Sequence, residues 1–179
     1  MTRTIGLLLA AGVLLLAAAV TAAAGHGGAS AAAPAAAPTC QNTQLLIRPY
    51  RGNGAAGHYG EEYSIHNMGG TACSLRGFPG VLLLDSRFVT LPTSLTWSNT
   101  LLGYHPVQTV RLGPGGNAYF ALYWATIPTG GERCSTAPYL MITAPNNRLP
   151  VVTYAVYGPG IHPCGGRITS TPVVGKLLF

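Results

Sequence analysis

From Cys40 onward the chain meets a cluster of Gly, Pro, Asn, Asp or Ser about every ten residues, and no segment between clusters sustains a 3.6-residue apolar period. Short segments between tight turns can bury a core only by pairing as strands, so an all-β domain is the expected outcome. Composition agrees. Only 8% of residues are charged, while Gly (24) and Pro (14) are abundant, which disfavours solvent-facing helices.

Strand-like segments can be placed one by one. Leu45 to Tyr50 is the first, and Pro49, which lacks a ladder donor, suggests a sheet edge. In Glu62-Tyr63-Ser64-Ile65-His66, Tyr63 and Ile65 share one face and Glu62, Ser64 and His66 the other, so one side is expected in the core and one in water. Val81 to Leu84 is apolar on both faces and is expected to lie centrally, with Phe88 to Leu91 as its hairpin partner. Pro92 to Pro106 reads as a long loop or weak strand. Val107 to Leu112 precedes the Gly113-Pro114-Gly115-Gly116 turn. Asn117 to Ala125 then alternates most cleanly: Ala118, Phe120, Leu122 and Trp124 on one face, Tyr119, Ala121, Tyr123 and Ala125 on the other. Tyr139 to Thr143, Leu149 to Val156 and Gly166 to Thr171 complete the set. The expectation is a single immunoglobulin-like antiparallel β-sandwich.

The N-terminal part is of another kind. Arg3, an apolar run from Ile5 to Val20 and Ala22-Ala23-Ala24 read as a secretory signal peptide over 1–24, with a retained membrane anchor as the alternative. Residues 25–39, rich in Ala and Pro and without charge, are expected to form a disordered linker. Cys40, Cys73, Cys134 and Cys164 in an exported chain imply two disulfides, in one of three connectivities.

Chemistry-bearing constellations are sparse. The acidic residues are Glu61, Glu62, Asp85 and Glu132. Glu61 and Glu62 are adjacent on a strand and point to opposite faces, so they do not form the opposed pair that glycoside hydrolysis uses. Asp85 and Glu132 sit in turn-like contexts. No Gly-x-Ser-x-Gly elbow is present, and the Gly113 to Gly116 turn lacks the Lys-Ser/Thr ending of a phosphate loop. His58, His66, His105 and His162 show no metal-ligand spacing. No catalytic, cofactor or metal site is therefore assigned, and the chain is not expected to be an enzyme; a pocket gathering Glu132, His162 and a serine would reverse that.

Ten Lys and Arg against four Asp and Glu give a net charge of +6, and Arg3 would leave with the signal. The cations are scattered, which speaks against nucleic acid and leaves acidic cell-wall polymers, sugars or extracellular proteins as partner classes. A membrane enters only if the N-terminal segment is retained. Tyr119 and Tyr123, if they project outward with Tyr139 or Tyr154 nearby, form an aromatic surface suited to stacking on sugars or peptides; the alternative is that a covering loop buries that face.

Several blocks carry a family resemblance. Asn67, Cys73, Gly77-Phe78-Pro79-Gly80-Val81 and Asp85 form the first; Val110-Arg111-Leu112-Gly113-Pro114-Gly115-Gly116-Asn117-Ala118 with Leu122 and Trp124 the second. Cys134 to Leu140 ending near Pro145, and Cys164-Gly165-Gly166, form the third and fourth. In this order they resemble the secreted actinobacterial family known as domain of unknown function 4232, over about Cys40 to Val173. The resemblance implies a secreted or envelope-attached β-sandwich over 40–174 with no established activity, and it transfers no catalytic residue. It also suggests the pairing Cys40 with Cys73 and Cys134 with Cys164. The competing Cys73–Cys134 bond would mimic an immunoglobulin domain, but the tyrosine corner is missing, since Glu132 stands two residues before Cys134. Residues 175–179 lie beyond the last block and are expected to be a peripheral tail. The expected role is an exported, non-catalytic module that binds or structures a cell-envelope component, with a protein-interaction or adhesion domain, or a secreted hydrolase, as alternatives.

Overall fold

A computed structural model describes residues 36–155 and 160–179. The expected signal peptide, most of the linker and the last residue of the Leu149 to Val156 segment lie outside the described residues. Ten strands make up nearly all the regular structure: β1 (Leu45–Ala55), β2 (His58–Asn67), β3 (Cys73–Leu75), β4 (Gly80–Leu84), β5 (Ser94–Trp97), β6 (Val110–Leu112), β7 (Asn117–Ala125), β8 (Tyr139–Thr143), β9 (Val151–Tyr154) and β10 (Arg167–Ser170). They form a five-stranded sheet in the order β1-β2-β7-β10-β5, a three-stranded sheet β4-β8-β9, and the pair β3-β6.

The five-stranded sheet carries the site. β1 is at its edge, as Pro49 requires, and the ladder to β2 shifts register between Pro49 and Arg51, a bulge at Tyr50. The β1–β2 turn is Ala56-Gly57 with φ of 50° and 80°, the left-handed pair that matches the twist of a two-residue hairpin. β2 pairs antiparallel with β7 along its whole length, from His58↔Ala125 to His66↔Asn117. β7 has the expected alternation: Ala118, Phe120, Leu122 and Trp124 are buried, and Tyr119 and Tyr123 are half-buried on the other side. Tyr63 stacks on Phe120 with centroids 5.3 Å apart, joining the inner faces of β2 and β7. A single hydrophobic core takes residues from all three sheets, among them Ile47, Ile65, Leu75, Leu83, Leu112, Leu140 and Ile142.

Three expectations are corrected. β4 is not central: it stands at the edge of its sheet, and Leu82 is 43% exposed. Apolar residues on both faces of a strand report double burial only if something covers the outer face. The Pro92 to Pro106 stretch does hold a short strand, β5, one of the two readings given for it, but β5 pairs parallel with β10, so the sheets are not wholly antiparallel as expected. Residues 37–39 are held in place: the Pro38 carbonyl accepts from Ser74 N–H at 2.8 Å and the Ala37 carbonyl from Ser74 Oγ at 2.9 Å.

The disulfides are Cys40–Cys73 and Cys134–Cys164. The first ties the entry of the domain to β3. The second joins the segment after β7 to the entry of β10, where Cys164 N–H donates to the Ala125 carbonyl at 3.0 Å. Four paired cysteines are the pattern of an oxidising compartment. Among the described residues no helix is long and apolar enough to cross a membrane. The Gly-Phe-Pro-Gly corner between β3 and β4 is braced by Trp97, which stacks on Phe78 at 5.6 Å and donates its Nε1–H to the Pro79 carbonyl at 3.2 Å.

Candidate functional site: the outer face of the five-stranded sheet

The alternation that sends Phe120 and Trp124 inward sends Tyr119 and Tyr123 outward, and each finds an aromatic neighbour. Tyr119 lies 5.8 Å from Tyr50, which the β1 bulge leaves 52% exposed. Tyr123 stacks on His58, centroids 5.4 Å apart and planes within 9° of parallel. Polar groups fill the same face between and beside these rings: exposed Arg48 is paired with Ser64, and His66 Nδ1 and Asn117 Oδ1 lie 3.0 Å apart.

At the middle of this face is a buried ion pair. Glu62 is fully buried, although its side of β2 was expected to be wet. Its Oε2 accepts from Arg51 Nε at 2.7 Å, across the β1–β2 ladder. Its Oε1 accepts from the backbone N–H of Leu178 at 2.6 Å. The C-terminal segment therefore crosses the sheet, and the expectation of a peripheral tail is revised. After β10 the chain first continues alongside β7, where Val174 and Tyr119 exchange both backbone hydrogen bonds at 2.8 Å. It then reaches β2, and Phe179 settles over Gly60. A Cβ at Gly60 would fall 2.9 Å from the Phe179 ring and 3.4 Å from Tyr123, so only glycine lets the tail lie this close. The Arg51 guanidinium sits 5.7 Å from the Tyr50 centroid and 5.9 Å from that of Phe179. Beside them opens a recess of about 170 Å³ lined by Asn53, Gly54, His58, Gly60, Tyr123 and Phe179.

The other carboxylates are committed elsewhere. Glu61 faces the core, where Tyr63 Oη donates to its Oε2 at 2.7 Å; burial, then the charge of Glu61, push the Tyr63 phenol well above its ordinary value. Asp85 Oδ1 accepts from the N–H groups of Arg87 (2.8 Å) and Val89 (2.9 Å), closing the turn after β4. Glu132 accepts from Thr129 N–H, Gly130 N–H and Arg167 Nη2, the last at 2.6 Å. These donors, the Thr129 backbone first, hold its carboxyl at about 2. His162 Nδ1 is 3.0 Å from Thr136 Oγ1, and Glu132 is turned to Arg167 instead. Among the described residues no group of three or more His, Cys, Asp or Glu could hold a metal ion.

Tyr119 and Tyr123 share the outer face of β7 as expected, but neither Tyr139 nor Tyr154, one of which was expected nearby, joins them. Tyr139 and Tyr154 oppose each other in the three-stranded sheet. Tyr50, His58, Arg51 and Phe179 join the site instead. Tyr50 could have been found from the Pro49 irregularity, whereas nothing local in the sequence points to Phe179.

An all-β domain with two disulfides and an aromatic outer sheet face defines a disulfide-stabilised β module. A family model described as "Domain of unknown function (DUF4232)" matches residues 40–174, and the chain belongs to that family. No curated protein and no solved structure matches it.

Proposed function

We propose that this protein is an exported, non-catalytic module that binds a cell-envelope polymer through the outer face of β1, β2 and β7. The observation that carries the reading is the set of rings on that face: Tyr50 against Tyr119, and Tyr123 against His58, with Arg48 and Arg51 beside them. Rings in fixed orientation present the flat apolar surfaces on which sugar rings stack, and neighbouring polar groups can take up hydroxyls. Once Arg3 leaves with the signal, nine Lys and Arg against four Asp and Glu give a net charge of +5, which draws an anionic wall polymer toward the surface. The non-catalytic part is supported by the carboxylates. Glu61, Glu62, Asp85 and Glu132 each serve a hydrogen-bonded structural role, and no two converge on a shared cleft.

Retention of the purified protein on isolated cell wall, titrated with salt, tests the reading. Binding that falls as ionic strength rises, and drops severalfold more in Tyr119→Ala and Tyr123→Ala, is the expected result. No retention at any salt concentration sinks it. A second reading, an extracellular protein-interaction or adhesion domain, is favoured by a different surface, where Leu82, Val152 and Tyr154 of the three-stranded sheet and Phe88 beside it are 43%, 47%, 55% and 56% exposed.

A further inference from the structure

Between the turn that joins β8 to β9 and the segment that leads into β1 lies a recess of about 460 Å³, within the size range of small-molecule sites. Its two walls are tied together. Asn147 Nδ2 donates to the Cys40 carbonyl at 2.9 Å, beside the Cys40–Cys73 bond, and Asn147 N–H closes its own turn on the Ala144 carbonyl at 3.0 Å. Asn146, at a φ of 62°, donates its Nδ2 to the Arg76 carbonyl at 3.3 Å. Both amides commit their nitrogens to the chain's own backbone, which leaves each Oδ1 to accept. Asn42, on the opposite wall, is in a different state: its Oδ1 and Nδ2 are both buried and neither has a hydrogen-bond partner. An amide buried with no partner on either atom is rare in a folded protein, and whatever supplies partners stabilises it. Arg148 also lines the recess, is exposed, and takes part in no ion pair among the described residues.

We propose that this recess binds an acidic saccharide, with the sugar's hydroxyls on Asn42, Asn146 and Asn147 and its carboxylate on Arg148. A hydroxyl both donates and accepts, so it completes the Asn42 amide, which lacks a donor and an acceptor, and donates to the Oδ1 atoms across the recess. The last side-chain torsion of asparagine is broad, so the Asn42 head can swing out to the ligand, and it gives up no hydrogen bond in doing so. The Arg148 guanidinium matches a carboxylate in a two-pronged pair and selects the acidic sugar over the neutral one. Leu149, 67% exposed beside it, offers apolar surface to the C–H face of the ring. Because the walls are already joined, little ordering is needed on binding. None of these residues belongs to the outer face of the five-stranded sheet, so the site stands or falls separately from the wall-binding reading.

Calorimetric titration of the protein, both disulfides intact, with trigalacturonate, the matching neutral trisaccharide, inorganic phosphate and an acidic tripeptide is the test. The expected result is trigalacturonate binding with a Kd on the order of 0.1 to 1 mM, about tenfold or more tighter than each of the other probes. Arg148→Gln should weaken it about tenfold, to the level of the neutral sugar, while Arg133→Gln, the same charge change at an exposed arginine elsewhere, leaves it as it was. Asn42→Ala should also weaken it about tenfold, with a melting temperature no lower than that of the wild type, since the amide holds no bond in the free protein. Two variants on opposite walls keep the test decisive if one fails to fold. Trigalacturonate left unbound at about 10 mM overturns the proposal, as does equal affinity for the neutral sugar or binding that survives both substitutions. Phosphate or tripeptide bound as tightly as trigalacturonate gives the recess to a bare anion or a peptide and overturns it equally.

Discussion

Leu178 and Glu62 are 116 positions apart in the chain, yet the backbone N–H of one donates to the fully buried carboxylate of the other at 2.6 Å. The contact makes the C-terminal segment part of the sheet's outer surface. Removing residues 175–179 should take away one donor but let water reach the carboxylate, and so cost about 1 kcal/mol. Glu62→Ala should cost more, about 2 to 3 kcal/mol. It leaves Arg51, whose Nη2 already lacks a partner, without its counter-ion, and the figure stays below that for a fully buried pair because the Arg51 side chain is 34% exposed. Urea unfolding of both variants checks the order; equal losses would show that the tail, not Arg51, holds Glu62.

Trp124 should separate volume from polarity. It is 4% exposed, packs on Tyr59 with centroids 5.3 Å apart, and its indole N–H has no partner. Trp124→Ala opens a large cavity and should cost about 3 to 5 kcal/mol, enough to stop folded protein accumulating. Trp124→Phe sacrifices no hydrogen bond and should cost less than about 2 kcal/mol. Chemical denaturation measures both, and a wild-type-like Trp124→Ala would overthrow the assigned face of β7.

Glu132 should make the acid limb of the stability profile steeper. Its folded value of about 2 lies below the ordinary 4.5, so its contribution is fully present above pH 4.5 and is lost as pH falls from there through about 2. Glu132→Gln should therefore be less stable than the wild type at neutral pH, with the gap closing across that window. Thermal melts at pH 2, 3, 4.5 and 7 give the answer, and a gap independent of pH would exclude the charge as its source. Tyr63 acts at the other end. Its raised value makes its contribution fully present below 10.0 and lost as pH climbs from there toward the folded-state value.

The two disulfides span 33 and 30 residues of chain, and each should contribute roughly 3 to 4 kcal/mol by restricting the unfolded ensemble. Replacing Cys40 and Cys73 together by serine should lower the unfolding free energy by about that amount and free the Pro38 to Cys40 segment from Ser74. Hydrogen exchange at Cys40 N–H, which donates to the Ser74 carbonyl at 3.0 Å, would report the local release. Protection unchanged in the double variant would show that the β3 contacts hold the entry without the bond.

What could be read from the sequence was what is encoded locally. The face assignment of β7, the edge position of β1 and the opposite orientations of Glu61 and Glu62 all follow from period-two geometry and from the missing donor of Pro49. The cysteine pairing followed the family resemblance. The β1–β2 hairpin was not anticipated at its full length because Ala56, with no turn signature of its own, adopts the left-handed conformation beside Gly57. β5 could be read only as a loop or a weak strand, because its four residues gain their strand character from β10, more than seventy positions later. The same limit hid the site: strand parity puts Glu62 on the outer face, but burial there is conferred by a tail from the far end of the chain.

The position of β10 sets a time order on folding. It lies between β7 and β5, and is the last of the ten strands in chain order. Until it arrives, β7 has an open edge and β5 has no sheet to join, so the five-stranded sheet cannot close on a growing chain. Closure of that sheet thus waits until β10 is available. A nascent chain stalled before Arg167 should remain protease-sensitive even with all of β1, β2 and β7 already exposed to solvent.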